Sequence, residues 1–333
     1  MKFKRGILVL VCIAAIAALL AGCGQGSTDQ QSGDKEQAAK VTDYPNKPIT
    51  IIVHSSPGAG ADLFGRQAGK ALQNVLGKPV VVENRTGGSG AVALQYVADS
   101  RPDGYTLIGM TDTLITTPLK NSTPKSIHDL VPVARLVLDG DVIYVNSDSN
   151  WDSQSVLDAI KGGSAKFKLG SPQVGSPESI AVNTLLNQYK ANINAVTYGD
   201  GSEALMGVLA GDIDAGIAEL AEILPQLEAG KVKVVLAFNS ERNPAIPDIP
   251  TFVESGYPDV IVDKFRGFSA PKGTPQEVID VLQQAFQQVM DDPDYKKAYT
   301  DNQQIPAYQN SADFQAFLDE TEAKYKTFFD AQK

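Results

Sequence analysis

From Tyr44 to Lys333, short runs of β-branched residues alternate with stretches at helical spacing, joined by turns rich in glycine and serine. Ile49-Thr50-Ile51-Ile52-Val53 is apolar and short, the pattern of a buried strand. Ser55 to Asp62 interrupts it, and Leu63, Ala68, Ala71, Leu72 and Leu76 then recur on one helix face, closed by Gly77. Pro79 to Glu83 reads as a second strand, Gly87-Gly88-Ser89-Gly90 opens a helix through Leu94 and Val97, and Tyr105 to Met110 is a third strand. The pattern resumes with strands at Val142–Val145, Lys166–Gly170, Ala195–Tyr198, Ile213–Ala218 and Val232–Phe238. Helical segments lie between them at Ser153–Ala159, after Pro177, and at Glu203–Ala210, and two more follow Pro271, at Pro275–Met290 and Ser311–Phe329. Such alternation predicts an α/β fold with parallel sheets covered by helices. Two units of similar size predict two lobes, with a small ligand in the cleft between them.

The first residues have a different character. Met1-Lys2-Phe3-Lys4-Arg5 is basic, and the uncharged run from Ile7 to Ala21 is shorter than the roughly 20 residues a membrane-spanning helix needs. Leu20-Ala21-Gly22-Cys23 follows and resembles a bacterial lipobox, so 1–22 is expected to be a signal peptide and Cys23 to carry lipid. An uncleaved anchor helix would leave the folded part on the same side of the membrane. Residues 23–43 have almost nothing to bury and read as a flexible linker. With Cys12 removed in the signal, no disulfide is expected, and a fold of this size can do without one. The chain carries 39 acidic against 29 basic residues, a formal charge of -10, which argues against nucleic acid as a partner.

Three turns share one design, a strand end, a glycine- or serine-rich turn and a helix start: Ser55–Asp62, Thr86–Gly90 and Gly170–Ser176. Helix N-termini present unpaired N–H groups and partial positive charge, so each is a candidate anion cradle. Such turns also occur in α/β proteins that bind nothing there. Ser176-Pro177-Glu178 combines a capping serine, proline at the first helical position and an acid in the first turn. Nucleotide fingerprints fail: no glycine stands three residues after Gly60, and Arg66-Gln67 occupies the place of the Walker lysine and hydroxyl residue. His54 and His128 are the only histidines, and no nucleophile elbow or metal-ligand spacing is present, so neither cofactor nor metal is expected. His54 is a ligand donor or a structural histidine, and His128 a surface turn residue. Asp62, Asp200 and Glu219 can each face the cleft. Their plainer roles are a helix cap, a turn former and a solvated helix start.

The stretches YPNKPITIIV, SPGAGADLFGR, LGKPVVVENRTGGSG, RPDGYTLIG and DLVPVARLV, then VTYGDGSEALMGVLAGDIDAGI, LEAGKVKVVLAF, IPDIPTFVESGYP and RGFSAPKGTP, resemble the substrate-binding proteins of tripartite tricarboxylate transporters, the Bug/TctC family. Their order and spacing run over nearly everything from Tyr44 onward. The resemblance implies a two-lobed fold like that of type II periplasmic binding proteins, with 44–143 plus 265–333 as lobe 1 and 144–264 as lobe 2. It implies capture of a small carboxylate, a tricarboxylate, dicarboxylate or amino or hydroxy acid, for the permease subunits of the transporter. By the same resemblance the ligand-binding residues are Ser55, Ser56, Gly58, Gly60, Ala61, Asp62 and Thr111, the loop Ser171 to Ser176 with Ser171, Gly175 and Ser176, and Tyr198, Asp200 and Glu219. The chain departs from the family pattern where His54-Ser55-Ser56-Pro57-Gly58 replaces Pro-Phe-Pro-Pro-Gly and where Tyr198-Gly199-Asp200 replaces Tyr-Lys-Gly, while Phe265 is kept. More hydroxyl and acid in the pocket favours a ligand with extra donors, which would meet Asp200 or Glu219.

A lipid-anchored, monomeric binding protein on the extracytoplasmic face of the cell membrane is therefore expected, without enzymatic activity. A sensory binding protein that docks on a membrane receptor is the alternative, since both would use the same loaded form. An extracellular hydrolase would need a nucleophile with a base in reach, and no histidine is placed to serve one.

Overall fold

The computed structural model describes residues 43–162, 167–171, 175–198 and 201–331. The expected signal peptide, Cys23 and nearly all of the expected linker, together with Asp200, lie outside the described residues. The first lobe opens with β1 (Ile49–Val53), α1 (Gly60–Leu76), β2 (Val80–Asn84), α2 (Ala91–Ala98), β3 (Thr106–Met110), α3 (Thr113–Lys120) and β4 (Leu130–Leu138). The second comprises β5 (Asp141–Asn146), α4 (Ser153–Ile160), β6 (Phe167–Ser171), α5 (Pro177–Asn187), β7 (Ile193–Thr197), α6 (Gly201–Ala210), β8 (Ala215–Glu219), α7 (Leu220–Glu228) and β9 (Val232–Ala237). The chain then returns to the first lobe as β10 (Phe265–Pro271), α8 (Gln276–Val289), α9 (Pro293–Asp301), β11 (Ile305–Gln309) and α10 (Ser311–Asp330).

Each lobe is built on one sheet, with strand orders β11-β4-β10-β3-β1-β2 and β7-β6-β8-β5-β9. Neither is purely parallel, which corrects the expectation from the alternating pattern. β1 is parallel to β2 and β3, and β6 to β7 and β8. β10 is antiparallel to β3 and β4, and β5 to β8 and β9. The reason is topological: β5 and β10 are the strands by which the chain enters a lobe from the other one, without a helical crossover to reverse it. Sheet pairing also places the first changeover at Asp139–Gly140 rather than after Ile143, because β5 pairs with β8 from Asp141 onward.

Alternation in β1 divides the first lobe's core between two faces. Ile49, Ile51 and Val53 pack with Phe64, Phe268 and Phe286, while Ile52 faces the opposite layer with Leu94, Phe265 and Phe314. Phe268 stacks on both Phe64 and Phe286, with ring centroids 5.0 and 4.6 Å apart, tying α1, β10 and α8 together. In the second lobe Phe167, Leu169, Ile217 and Phe238 fill one face and Val142, Tyr144, Val208 and Ile223 the other. Full burial of each such side chain contributes about 1.5–3 kcal/mol.

The β10–β4 pair is close enough that a Cβ on Gly267 would lie 2.6 Å from the Ala134 carbonyl oxygen and 2.8 Å from the Phe314 ring. Gly267→Ala should therefore destabilise the protein by about 1–3 kcal/mol through overpacking, read as a lower midpoint in urea unfolding. An unchanged midpoint would mean that the strand pair yields without strain.

Candidate functional site

A cavity of about 640 Å³ lies between the lobes, at the carboxyl ends of the parallel strands. His54 follows β1, Thr111 follows β3, and Glu219 ends β8; all three line it. Four helices begin at its wall: α1 with Gly60 and Ala61, α3 with Thr113, α5 with Pro177 and Glu178, and α7 just after Glu219. Their partial positive ends converge on one space, an arrangement that favours an anion.

The four termini differ in how they are capped. At α5 the Ser179 amide donates to Ser176 Oγ at 3.2 Å, and the Gly175 amide donates to Ser179 Oγ at 2.8 Å. Glu219 is the N-cap of α7, but its carboxylate is turned to Lys264 instead of the helix amides. At α1 the N-cap is Ala59, and among the described residues no side chain caps the helix. Arg266 stands over that terminus, since a Cβ on Gly60 would meet its guanidinium nitrogens at 3.3 and 3.4 Å.

Of the expected site residues, Gly60, Ala61, Thr111, Gly175, Ser176 and Glu219 line the cavity. Ser55, Ser56, Gly58, Asp62, Ser171 and Tyr198 are not among its lining residues. Asp62 is buried and turned to its own loop. It accepts from the Gly58 amide at 2.8 Å, Arg66 Nε at 3.0 Å and Asn84 Nδ2 at 2.7 Å, which hold its carboxyl down at about 2. Asn84 also donates to the Ser55 carbonyl, so this aspartate fixes the turn that presents Gly60 and Ala61. The Tyr198 amide donates to the Ser171 carbonyl at 3.1 Å, joining the ends of β6 and β7. His54 Nε2 lies 2.8 Å from Thr111 Oγ1. Burial first, and Arg266 second, lower its pKa, so the imidazole is neutral at pH 7.

The charged centre of the wall was not anticipated. Lys264 Nζ lies 2.6 Å from Glu178 Oε1, 2.7 Å from Glu219 Oε1 and 3.3 Å from Asp141 Oδ1. Burial alone would lower the pKa of Lys264, but the three carboxylates hold it well above the ordinary lysine value. Arg266 pairs with Asp139 at 2.7 Å through one nitrogen and 3.0 Å through Nε, and Gln304 donates to the same carboxylate. Asp112 accepts from the Phe265 amide and from the Tyr325 hydroxyl. Burial pushes its carboxyl up to about 6, against the pull of Tyr325 and Lys264. Lys120 and Glu222 complete the charged wall. One signal was present in the sequence: Asp139-Gly140-Asp141 and Lys264-Phe265-Arg266 set charges at the edges of strand runs that are otherwise apolar.

Comparison with known proteins decides the family. Residues 64–333 match the family described as TctC, the tripartite tricarboxylate transporter family receptor. The chain belongs to that family. Among its relatives, Protein BugT of Bordetella pertussis is 31% identical over 249 residues, covering 72% of this chain and 75% of BugT. A UPF0065 protein of the gbd 5' region of Cupriavidus necator is 26% identical over 95% of both chains. A TctC solute-binding protein from Polaromonas superposes with a TM-score of 0.79 at 28% identity, over 86% of this chain and 99% of its own. The periplasmic binding protein BugD gives 0.64 at 25% identity, over 86% and 98%. This receptor is thus a solute-binding protein with the two-lobed fold of its family, a family of substrate-binding receptors. Among the described residues no helix is long and apolar enough to cross a membrane, and no group of His, Cys, Asp and Glu is arranged to hold a metal ion.

Two outcomes follow from the buried charges. Lys264→Met leaves Asp141, Glu178 and Glu219 without their counter-charge and should cost about 3–5 kcal/mol, measured by denaturant unfolding; a stability near wild type would show that the carboxylates relax into solvent. Between its ordinary 3.8 and about 6, Asp112 keeps a proton in the folded chain that the unfolded chain has lost. This group's contribution to stability therefore falls as pH rises through that window and is constant above it. Asp112→Asn should remove that downward component from a stability–pH series; an identical slope would assign the titration to another group.

Proposed function

We propose that this receptor captures a small carboxylate between its lobes and hands it to the membrane permease of a tripartite transporter. The observation that carries the reading is the N-terminus of α1. Its first residues, Gly60 and Ala61, line the cavity with no side chain capping the helix among the described residues, beside the Arg266 guanidinium. A carboxylate there would accept backbone N–H bonds and a charge-assisted bond from arginine, strengthened by the low dielectric of a closing cleft. The hydroxyls of Ser89, Thr111, Thr113, Thr116 and Ser176 surround the space with further donors and acceptors.

In the same reading Gly60, Ala61, Thr111, Gly175, Ser176 and Glu219 contact the ligand. Ser55, Ser56, Gly58, Asp62, Ser171 and Tyr198 shape the loops around it, and Asp200, outside the described residues, is a further candidate contact. The protein acts as a monomer without catalysis, held by lipid on Cys23 at the extracytoplasmic face of the cell membrane. A tether of this kind keeps a carrier near its permease where no outer membrane retains it.

Isothermal titration of the purified protein against a panel of mono-, di- and tricarboxylates, hydroxy acids and amino acids tests the reading. One site per chain and recovery of the titrant unchanged are expected. Absence of heat from every acid overturns it, and conversion of a titrant into product would overturn the non-enzymatic part.

A further inference from the structure

The α1 terminus and Arg266 account for an anion in the cavity but not for the histidine that stands with them. His54 follows β1, lines the cavity and occupies the place where the family pattern has proline. A proline there offers a ligand no hydrogen-bond donor, whereas an imidazole offers one and can change its charge near neutral pH. The ring is half-buried and held from two sides. Its Nε2 lies 2.8 Å from Thr111 Oγ1, and a Cβ on Gly90, at the start of α2, would lie 3.5 Å from both Cβ and Cγ of His54. The elements around the ring bring little charge to it. Arg266 of β10 is the nearby cation, and Asp112, next to Thr111, is committed to the Phe265 amide and the Tyr325 hydroxyl. Gly60 and Ala61 of α1, and Ser89 and Gly90 before α2, carry no side-chain charge. Among the described residues no carboxylate pairs with the imidazole.

We propose that His54 is a ligand contact: the captured carboxylate lies against both His54 and Arg266, and the imidazole takes up a proton as the carboxylate arrives. In the free protein, burial first and Arg266 second favour the neutral ring, with the backbone of His54 itself pulling the other way. A carboxylate beside the two side chains offsets the field of Arg266 and gives an imidazolium N–H an acceptor, which favours the charged ring. The loaded form therefore holds a proton at a pH where the free form has lost it. Affinity rises as pH falls through the interval between those two states and is constant above it, where both forms are neutral. Backbone amides and arginine do not titrate near neutral pH, so the α1 terminus and Arg266 alone would give no such dependence. Asp112 is the competing source: its carboxyl, pushed up to about 6, would also favour an anion as it protonates.

The histidine contact rests on the carboxylate reading, and proton linkage separates the two. His54 and His128 are the only histidines, so imidazole resonances report each ring by itself. Acetate, succinate and citrate serve as probes in an NMR pH titration. The acid that binds should raise the His54 pKa by about one unit or more, while His128, paired with Glu322 on the surface, is unmoved by it. Calorimetry with the same acid should show roughly threefold or more tighter binding at about pH 6.5 than at about pH 8, with net proton uptake read from buffers of different ionisation enthalpy. His54→Gln should abolish the uptake and flatten the profile, and the uptake should persist in Asp112→Asn. Binding without a shift at His54 overturns the histidine contact and leaves the carboxylate reading intact. So does a pH dependence that survives His54→Gln and vanishes in Asp112→Asn. Silence from all three acids overturns the histidine contact, and silence from the whole panel overturns the carboxylate reading beneath it.

Discussion

The cluster around Lys264 is the interaction on which the cleft depends. One ammonium from the segment that leads back into the first lobe receives carboxylates from β5, α5 and β8, three separate elements of the second lobe. The next residue, Phe265, donates its amide to Asp112 at the start of α3, and Asp112 in turn accepts from Tyr325 on α10. A chain of polar contacts thus runs from the second lobe through two consecutive residues into the first. Burying this many charges is expensive unless each has a partner. Here Lys264 is the shared counter-charge for all three, although both Asp141 oxygens are buried without a hydrogen bond among the described residues, so the cluster holds only while the ends of β5, β8, α5 and β10 keep their places. The same ends form the wall of the cavity.

Much of the architecture was legible because period and punctuation agree along most of the chain. β1 and β2 are rich in β-branched residues and each begins just after a proline, and α8 and α10 have plain amphipathic spacing. What stayed hidden was long-range. Leu130–Leu138 and Phe265–Pro271 carry Pro132, Arg135 and Arg266 within their span, and their pairing with each other joins segments far apart in sequence. Arg135 is accommodated because its Nε donates to the Ala307 carbonyl of β11 while its guanidinium lies over the Phe317 ring. Local pattern gives no hint of such partners. The site divides along the same line: glycine turns announce themselves, whereas Lys264, Arg266 and Glu222 gain meaning only once the second crossing returns the chain to the cleft.

The helix termini show why a resemblance in sequence does not translate evenly into ligand contacts. α5 has the strongest start signal in the chain, with Ser176, Pro177 and Glu178, and for that reason its own side chains satisfy much of the terminus. α1 has a weaker signal. Ala59 cannot cap, and Asp62, in the first turn, is turned back to Gly58, Arg66 and Asn84. A well-capped helix holds itself in place, whereas an uncapped one keeps its donors for something else. The protein uses both kinds. α5 brings a capped start to the wall, and α1 brings Gly60 and Ala61 there with no side-chain cap among the described residues.

Arg266 links these two functions of the cleft. Two of its nitrogens are fixed by Asp139, whose position is set in turn by Gln304, so the guanidinium plane has little freedom to follow a ligand. The Asp139 amide donates to the Lys264 carbonyl at 2.7 Å, and Asn239 Nδ2 donates to the carbonyls of Asp139 and Val262, binding the two crossing segments side by side. Among the described residues the chain passes between the lobes through these two segments. Arg266 follows the second of them and, like Gly60, belongs to the first lobe. Its distance to the α1 terminus is therefore set within one lobe, whereas Ser176 and Glu222 are carried to the cavity wall by the other.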